Sequence, residues 1–333
     1  MLYAALKSIG AYVPKNILTN KDFEKMVDTS DEWIKKRTGI EKRHIADENE
    51  ATSDLGVKAA LKAIERANIE KEEIDAIICA TISPDHLCMP STACLIADKL
   101  GIGNVPAFDI SAACSGFVYA LAMAKSFVES KMFKNVLIIG AEKLSAIVDY
   151  TDRTTCVLFG DGAGAAVIGG SDKKDESVLD VKISADGKYQ DFLITPGCGS
   201  KYPCSQEVLE NRLNYIKMKG NETFKLAVKT LTSDVLEIME KNGLTSEDID
   251  YFIPHQANYR IIEAVRSKMN FPVEKTVLTV AKYGNTSAAS IPMAMNDWYE
   301  SGKLKKGDLM LLDTFGGGLT WGSALVHFAG NPL

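Results

Sequence analysis

The 333-residue sequence predicts an α/β protein built from two similar halves that pack with pseudo-two-fold symmetry. Three observations lead to this prediction. Similar segments recur in the two halves, amphipathic helical patterns alternate with short apolar segments, and those apolar segments are continuous runs. Continuous runs are typical of strands that are covered on both faces.

The repeat is clearest around the predicted central strands. The segment Ile-Asp-Ala-Ile-Ile-Cys-Ala at 74–80 resembles Ile-Asp-Tyr-Phe-Ile-Pro-His at 249–255, and 129–140 resembles 300–312. Each half then closes on a glycine-rich turn followed by a strand-like segment, at 159–169 and at 315–326. Because the repeat runs through the chain in the same order twice, it indicates duplicated supersecondary structure.

The boundary between the halves is predicted in a polar stretch. Amphipathic helices at 53–68 and 223–242 precede the equivalent strands, and the charged segment 169–176 lies between the two repeats. Such a segment is typical of a linker. We therefore predict an N-terminal half at 1–172 and a C-terminal half at 173–333.

Composition indicates a globular protein rather than a membrane or nucleic-acid-binding one. Hydrophobic residues make up 46% of the chain, charged residues 25%, and the net charge is −6. An acidic total disfavours a nucleic-acid partner. The N-terminus does not resemble a signal peptide, and the longest apolar run, at 117–124, is too short to span a bilayer. We expect a cytoplasmic protein with no membrane partner.

The cysteines suggest neither disulfides nor a metal. An odd number of seven argues against a disulfide framework and for a reducing compartment. Neither His86 with Cys88 and Cys94, nor Cys198 with Cys204, has the spacing of a zinc site. We expect no metal and no bound cofactor.

Cys114 is the candidate nucleophile. It lies where a predicted strand at 106–110 runs into a predicted helix at 115–130. The free N–H groups and dipole of a helix N-terminus favour a thiolate, which is nucleophilic at neutral pH. Taken alone, a lone cysteine is more often a small buried hydrophobe. Two further segments, His-Gln-Ala-Asn at 255–258 and Gly-Asn-Thr-Ser at 284–287, favour catalysis.

The repeat predicts how these segments meet. Ser-Ala-Ala-Cys-Ser at 111–115 corresponds to Thr-Ser-Ala-Ala-Ser at 286–290, so Cys114 and Asn285 lie near equivalent helix starts. His255 follows a predicted strand at 250–253, at the strand end where open α/β folds bind ligands. The three residues would serve either proteolysis, with histidine as base, or thioester chemistry, with histidine and asparagine as paired donors. Symmetry favours the paired donors.

Four segments of the sequence together resemble a known family. The segments 112–116, 254–258, 284–292 and 315–322 resemble β-ketoacyl-acyl carrier protein synthase III of bacterial type II fatty acid synthesis. The resemblance runs through nearly the whole chain. It implies the thiolase-like fold, with two α/β halves in five layers, and a homodimer.

The resemblance also implies a reaction. Cys114 would accept an acyl group from acetyl-CoA or another short acyl-CoA, and malonyl-acyl carrier protein would then lose CO2 and attack it. His255 and Asn285 would stabilise the enolate, and the backbone N–H groups of Cys114 and Gly317 would form the oxyanion hole. The coenzyme A thioester is a substrate rather than a cofactor.

Binding residues follow from the same resemblance. Trp33 and Arg153 would hold the adenine of coenzyme A between them and Arg37 would bind phosphate. The full set of expected coenzyme A contacts is Thr29, Trp33, Arg37, Arg153, Asn221 and Phe224. For the acidic carrier protein, the expected docking residues are Arg260, Lys225 and Lys268, with Arg266 nearby.

Two features depart from the family pattern. Met89 stands where members often carry an aromatic residue that gates the acyl pocket. The segment 195–213 is longer than expected and suggests a loop with one helical turn, which would cover the site or contact a second subunit.

Three alternatives remain open from the sequence. One is another thiolase-fold condensing enzyme with a different primer or acceptor, such as one that makes a quinolone, a polyketide starter or hydroxymethylglutaryl-CoA. The others are a Cys-His-Asn hydrolase and a non-catalytic acyl-carrier-binding relative.

Overall fold

The computed structural model describes residues 1–332, which form strands and helices that alternate along the chain. The strands are β1 (Tyr3–Tyr12), β2 (Asn16–Thr19), β3 (Lys42–Ile45), β4 (Ala76–Ala80), β5 (Ala107–Ile110), β6 (Asn135–Glu142), β7 (Gly162–Ser171), β8 (Val178–Ala185), β9 (Leu193–Ile194), β10 (Lys217–Met218), β11 (Tyr251–Pro254), β12 (Leu309–Gly316) and β13 (Thr320–His327). The helices are α1 (Asn20–Phe23), α2 (Asp31–Thr38), α3 (Thr52–Ala67), α4 (Thr92–Leu100), α5 (Gly116–Glu129), α6 (Gln206–Glu210), α7 (Gly220–Lys241), α8 (Tyr259–Lys268), α9 (Val280–Tyr283) and α10 (Ser290–Glu300).

Two mixed sheets repeat one topology. The first has the order β1-β7-β6-β4-β5 and the second the order β11-β12-β13-β8. In each, the central strands run parallel and the strand after the glycine-rich turn pairs antiparallel, so that β4, β6 and β7 correspond to β11, β12 and β13. The place of β5 in the second sheet is taken by a single bridge between Phe252 and Thr276. The predicted duplication is therefore confirmed for these three pairs of strands.

The sheets and helices stack in five layers. Helices α3 and α4 cover one face of the first sheet, and α7 and α8 cover one face of the second. Helices α5 and α10 lie between the sheets and share a single apolar core with both. Residues of that core include Phe117, Leu121, Val136, Ile291, Met295 and Met310. Because this middle core draws on both halves, the two helix starts meet at the centre of the molecule.

The linker between the halves is shorter than the predicted segment 169–176. Gly169 and Gly170 do not belong to a linker, because they pair with Ala5 and Ala4 at the end of β7. The link between the two sheets is 172–177. The polar, charged character of 169–176 suggested a linker over that whole segment, but pairing with β1 keeps 169–171 in the strand. The predicted division between 172 and 173 falls within the link.

The two helix starts match with a shift of one residue from the sequence alignment. Short 3₁₀ turns at Ala113–Ser115 and Ser287–Ala289 precede α5 and α10, and each begins with a residue of positive φ, 46° at Ala113 and 49° at Ser287. Cys114 therefore corresponds to Ala288 rather than Ala289. Runs of alanine and serine do not fix a register, whereas the backbone conformation does.

The segment 195–213 closes on itself. Its predicted helical turn is present as α6, and Gly197 N–H donates to the Leu213 carbonyl at 2.7 Å. Cys198 and Cys204 form a disulfide within the loop. The argument against disulfides is thus wrong for this pair, because a local bridge across six residues does not depend on an even count in the chain.

No helix within residues 1–332 is both long and apolar enough to cross a bilayer.

Candidate active site

Cys114 lies at the junction between the two sheets. Its 3₁₀ turn follows β5 and leads into α5, and its side chain is 5% exposed between two cavities. The second half anchors this turn. Thr314 Oγ1 donates to the Cys114 carbonyl at 2.9 Å, and Thr320 Oγ1 donates to the Ala112 carbonyl at 2.7 Å.

The Cys114 thiol is not ionised at neutral pH in this environment. Burial raises the pKa of the thiol to about 12, although the neighbouring Ser287 hydroxyl acts in the opposite direction. The expectation of a resting thiolate at the helix start is therefore wrong. Loss of solvation at a buried sulfur outweighs the favourable end of the helix, whose effect is modest. Acyl transfer to this sulfur consequently needs a group that accepts its proton.

His255 is buried and neutral. It follows β11 at the strand end, as predicted, and burial lowers the pKa of its imidazole to about 3. Its Nδ1 lies 2.6 Å from Ser290 Oγ, and the Gln256 N–H donates to the same hydroxyl oxygen at 3.3 Å. The Ser290 hydroxyl has no other acceptor within residues 1–332, so it donates to Nδ1. The imidazole proton then stands on Nε2, which has no hydrogen-bond partner among the described residues 1–332.

Asn285 presents an amide donor. The N–H of Ser287 donates to Asn285 Oδ1 at 2.9 Å, which fixes the orientation of the side chain. Its Nδ2 donates to no group within residues 1–332. The backbone of Asn285 is held by the first half through an isolated bridge to Phe159, and its N–H donates to the Leu158 carbonyl at 2.9 Å.

The structure brings these three side chains to one cavity of about 300 Å³. Cys114, His255 and Asn285 all line it, and Phe159 and Phe315 form apolar wall beside them. A thiol that faces two hydrogen-bond donors in a mostly apolar pocket is suited to a thioester, whose oxygen accepts from both donors.

The glycine turn at 316–318 contacts the nucleophile. A Cβ on Gly316 would lie 2.7 Å from the Cys114 nitrogen, and a Cβ on Gly317 would lie 2.8 Å from the Leu193 carbonyl oxygen. Only glycine allows this close approach. Within residues 1–332 the Gly317 N–H has no acceptor, and the Cys114 N–H contacts its own sulfur.

Most of the expected coenzyme A residues line the same cavity. Trp33, Arg37, Asn221 and Phe224 do so, whereas Thr29 and Arg153 lie outside it. The Thr29 hydroxyl is buried and has no hydrogen-bond partner in the part of the chain that the structure describes.

Trp33 and Arg153 are closer together than a bound base would require. The Arg153 guanidinium lies 5.5 Å from the centre of the Trp33 ring and donates to the Asp28 carbonyl at 2.6 Å. A base between them needs two contacts of about 3.5 Å each. The two side chains must therefore separate to admit adenine.

The expected docking residues surround the cavity entrance unevenly. Arg260 lines the cavity, with its guanidinium 5.2 Å from the centre of the Phe224 ring. Lys225 and Lys268 are exposed, whereas Arg266 is engaged by Glu263. Of these four expected docking residues, Arg260 alone lines the cavity that contains Cys114.

A second cavity, of about 800 Å³, reaches Cys114 from the other side. Cys88 and Pro90 line it, but Met89 between them does not and is 80% exposed. Within one chain, Met89 therefore lines neither of the two cavities that reach Cys114. Of the segment 195–213, only Thr195 lines this cavity.

Three residues near the thiol were missed from the sequence. Ser287 and Glu142 lie in a buried group beside Cys114, and Ser290 orients His255. Ser287 stands inside the Gly-Asn-Thr-Ser motif, and Glu142 is the one carboxylate that ends an otherwise apolar strand. These two positions are the features of the sequence from which Ser287 and Glu142 could have been predicted as site residues.

Two α/β halves that meet on a cysteine, a histidine and an asparagine define a condensing enzyme of the thiolase fold. Family models agree with this class. The model described as 3-oxoacyl-[acyl-carrier-protein (ACP)] synthase III matches residues 108–187, and its C-terminal counterpart matches residues 239–328.

Curated relatives and solved structures identify the family. Beta-ketoacyl-[acyl-carrier-protein] synthase III from Aliarcobacter butzleri is 69% identical over 99% of both chains. The protein of that name from Helicobacter pylori is 60% identical over 98% of this chain and 99% of its own. The crystal structure of 3-oxoacyl-[acyl-carrier-protein] synthase III from Aquifex aeolicus VF5 superposes with a TM-score of 0.91 at 49% identity, covering 98% of this chain and 100% of that one. The chain belongs to the beta-ketoacyl-[acyl-carrier-protein] synthase III family, whose members are condensing acyltransferases.

Proposed function

We propose that this chain initiates fatty acid synthesis by a decarboxylative Claisen condensation. An acyl group from acetyl-CoA or another short acyl-CoA is carried on Cys114 and joined to malonyl-acyl carrier protein to give 3-oxoacyl-acyl carrier protein. The observation that carries the proposal is the convergence of the Cys114 thiol with two unpartnered donors, His255 Nε2 and Asn285 Nδ2, in one cavity.

In the acylation step, Cys114 Sγ attacks the thioester carbonyl carbon. A carbon–sulfur bond to the protein forms as the bond to the coenzyme A sulfur breaks. The N–H groups of Cys114 and Gly317 stabilise the oxyanion of the tetrahedral intermediate.

In the condensation step, the malonyl thioester loses CO2 and its α-carbon attacks the acyl carbonyl. Enolate charge develops on the thioester oxygen, where His255 and Asn285 each donate a hydrogen bond. Because both donors are oriented in advance by Ser290 and Ser287, little reorganisation is needed as that charge forms.

Substrate binding uses the cavity and its rim. The pantetheine arm lies along Asn221 and Phe224, Arg37 binds phosphate, and Trp33 parts from Arg153 to receive adenine. Thr29, whose buried hydroxyl has no partner, contributes a hydrogen bond at the rim. Met89 serves the acyl pocket from a second copy of the chain, in a cytoplasmic homodimer.

The carrier protein docks at Arg260, which stands at the cavity entrance, with Lys225 and Lys268 as outlying charges. Arg260→Glu should raise the KM for malonyl-acyl carrier protein more than the KM for acetyl-CoA, as measured by initial rates. Lys62→Glu, a change at an exposed position of α3 that does not line the cavity, is the matched control. Equal increases in both KM values for Arg260→Glu would contradict docking at this residue.

The decisive experiment is intact-protein mass spectrometry after incubation with a panel of acyl-CoA thioesters. Wild type should gain one acyl mass on the peptide that contains Cys114, and Cys114→Ala should gain none. Acyl transfer that persists in Cys114→Ala would exclude Cys114 as the nucleophile. Cleavage of a peptide substrate, blocked by alkylation of Cys114, would instead support a hydrolase.

A further inference from the structure

A buried row of polar groups leads away from the reactive thiol. Ser287 adjoins the Cys114 thiol on one side and the Glu142 carboxyl on the other, and its hydroxyl lowers the pKa of both. Cys114 is 5% exposed, Ser287 1% and Glu142 0%. None of these contacts is needed to explain how His255 and Asn285 bind a thioester oxygen.

Glu142 is held so that one carboxylate oxygen is occupied and the other is free. Oε2 accepts from Ser83 Oγ at 2.6 Å, and from Thr81 Oγ1 and Ile82 N–H at 3.1 Å each. Oε1 is buried and accepts no hydrogen bond from any group in residues 1–332. A buried carboxylate oxygen without a hydrogen-bond partner destabilises the folded state, so its presence calls for a functional explanation.

Ser287 is likewise buried, and its hydroxyl forms no hydrogen bond of good geometry in this state. Its backbone φ of 49° is unusual for a residue other than glycine. That conformation opens the 3₁₀ turn before α10 and brings the serine to the turn that carries Cys114. A small shift of the hydroxyl is enough to join its two neighbours.

Acylation releases a proton that His255 is poorly placed to take. The imidazole already carries its proton on Nε2, because Ser290 donates to Nδ1. Burial also disfavours the imidazolium that a second proton would create. The condensation step needs that Nε2–H as a donor, so a different acceptor serves the thiol.

We propose that Ser287 and Glu142 form a proton relay that takes the Cys114 proton during acylation and returns it after condensation. As Sγ bonds to the thioester carbon, the S–H bond breaks, its proton passes to Ser287 Oγ, and the serine proton passes to Glu142 Oε1. Coenzyme A leaves as a thiolate and takes a proton from water.

The proton returns to Cys114 during the condensation step. When the malonyl-derived carbon attacks the acyl group, the Cys114 sulfur leaves with the electron pair of its carbon–sulfur bond. Glu142 then gives its stored proton back through Ser287, which restores the thiol and the carboxylate. The relay rests on the proposed function, since it presumes an acyl group on Cys114.

The charge of Glu142 depends on few neighbours. Burial raises the pKa of this carboxyl to about 7, and the titratable groups that face it are the thiols of Cys114 and of Cys79 on β4. Within residues 1–332 no cation forms a salt bridge with it, and the ammonium of Lys143 turns away to the carbonyl of Asp47 at 2.9 Å. Above about pH 7 the carboxylate is therefore ready to accept a proton.

The test is the rate of Cys114 acylation by acetyl-CoA, followed by quenched mass spectrometry across pH, in Glu142→Gln and Ser287→Ala. Glutamine keeps the hydrogen bonds to Thr81, Ser83 and the Ile82 N–H but cannot accept a proton. At about pH 8 both variants should acylate at least 100-fold more slowly than wild type, the size of a lost general base. The wild-type rate should show an inflection near pH 7 that both variants lack.

Ser115→Ala is the matched control. Its hydroxyl is also buried and has no hydrogen-bond partner within residues 1–332, and it is next to Cys114 in the chain, but it is not among the groups that bond to Glu142. Its acylation rate and pH profile should match wild type. In the relay variants the rate should rise about tenfold per pH unit above pH 8, as hydroxide replaces the relay.

The outcomes separate the two proposals. If wild type itself gains no acyl group, the proposed function fails. If wild type is acylated and both relay variants keep its rate and pH profile, the relay is wrong. Circular dichroism checks that each variant folds. If Glu142→Gln does not fold, the acylation rate and pH profile of Ser287→Ala alone test the relay.

Discussion

Cys114 combines a nucleophilic sulfur with an environment that keeps it protonated. A thiol whose pKa is raised to about 12 is almost entirely neutral at physiological pH, because burial removes the water that would solvate the thiolate. A neutral thiol also resists adventitious oxidation, which requires thiolate character. The reactive form therefore arises only as the thioester is attacked.

This state can be measured directly. The thiolate absorbs in the ultraviolet, so the absorbance difference between wild type and Cys114→Ser, titrated from about pH 6 to pH 10, reports ionisation of this sulfur. A group titrating near pH 12 should give no step in that range. A full step centred below about pH 8 would show that the end of α5 outweighs burial.

His255 and Asn285 are assigned to the condensation step and not to the acylation of Cys114. His255→Ala and Asn285→Ala should each leave acylation within a few-fold of wild type. Each should lower decarboxylation of malonyl-acyl carrier protein by about 10²–10³-fold, the effect of one lost oxyanion donor. Release of labelled CO2 measures the loss, and a matching collapse of acylation in His255→Ala would make the histidine a base for Cys114.

At the scale of elements, the active site depends on how closely the turn before α10 packs on β6. A Cβ on Gly140 would lie 2.3 Å from the Ala288 carbonyl oxygen. Asn285 and Ser287 are carried by the segment that would have to move. The chemistry is thus tied to a contact between backbones of the two halves.

Gly140→Ala should consequently damage both stability and condensation. Overpacking of this kind costs about 1–3 kcal/mol of unfolding free energy, measurable by urea denaturation. Condensation should fall because the displaced turn positions Asn285, and acylation should fall with it because the same turn carries Ser287. Gly103→Ala, where an added Cβ meets nothing within 4 Å, should change neither quantity. Wild-type behaviour of Gly140→Ala would show that the turn can shift freely.

The sequence predicted elements best where periodicity and repetition agree. The strands β6 and β12 follow from continuous apolar runs, and their equivalence follows from the repeat. The three residues Cys114, His255 and Asn285 were placed at one centre for the same reason. The one-residue shift between the helix starts was not predictable, because alanine and serine repeat in both.

What the sequence could not predict depends on solvation and three-dimensional neighbours. The direction of the Cys114 pKa required knowing that burial exceeds the helix effect. Glu142 looks like an ordinary strand end until its carboxyl is found inside the protein beside Ser287. The Cys198–Cys204 bridge required the fold of a loop that has no regular pattern.

At the scale of the whole molecule, one surface beside the second cavity is unusually apolar. Leu87 is 72% exposed and Met89 is 80% exposed, on the loop whose neighbours Cys88 and Pro90 line that cavity. Exposed apolar side chains that cluster beside a functional cavity are typical of an interface. In the proposed homodimer, this loop is covered by the second copy, and the acyl cavity is completed there.

The dimer is tested with a charge in that loop. Met89→Asp should shift the protein from dimer to monomer in light scattering after gel filtration, because the carboxylate would have to be buried without a partner. It should also lower activity at protein concentrations where the monomer dominates. Met132→Asp is the control, since Met132 is 63% exposed in the turn after α5, at the far end of that helix from Cys114. A wild type that is monomeric at assay concentrations, yet fully active, would remove the second copy from the acyl pocket.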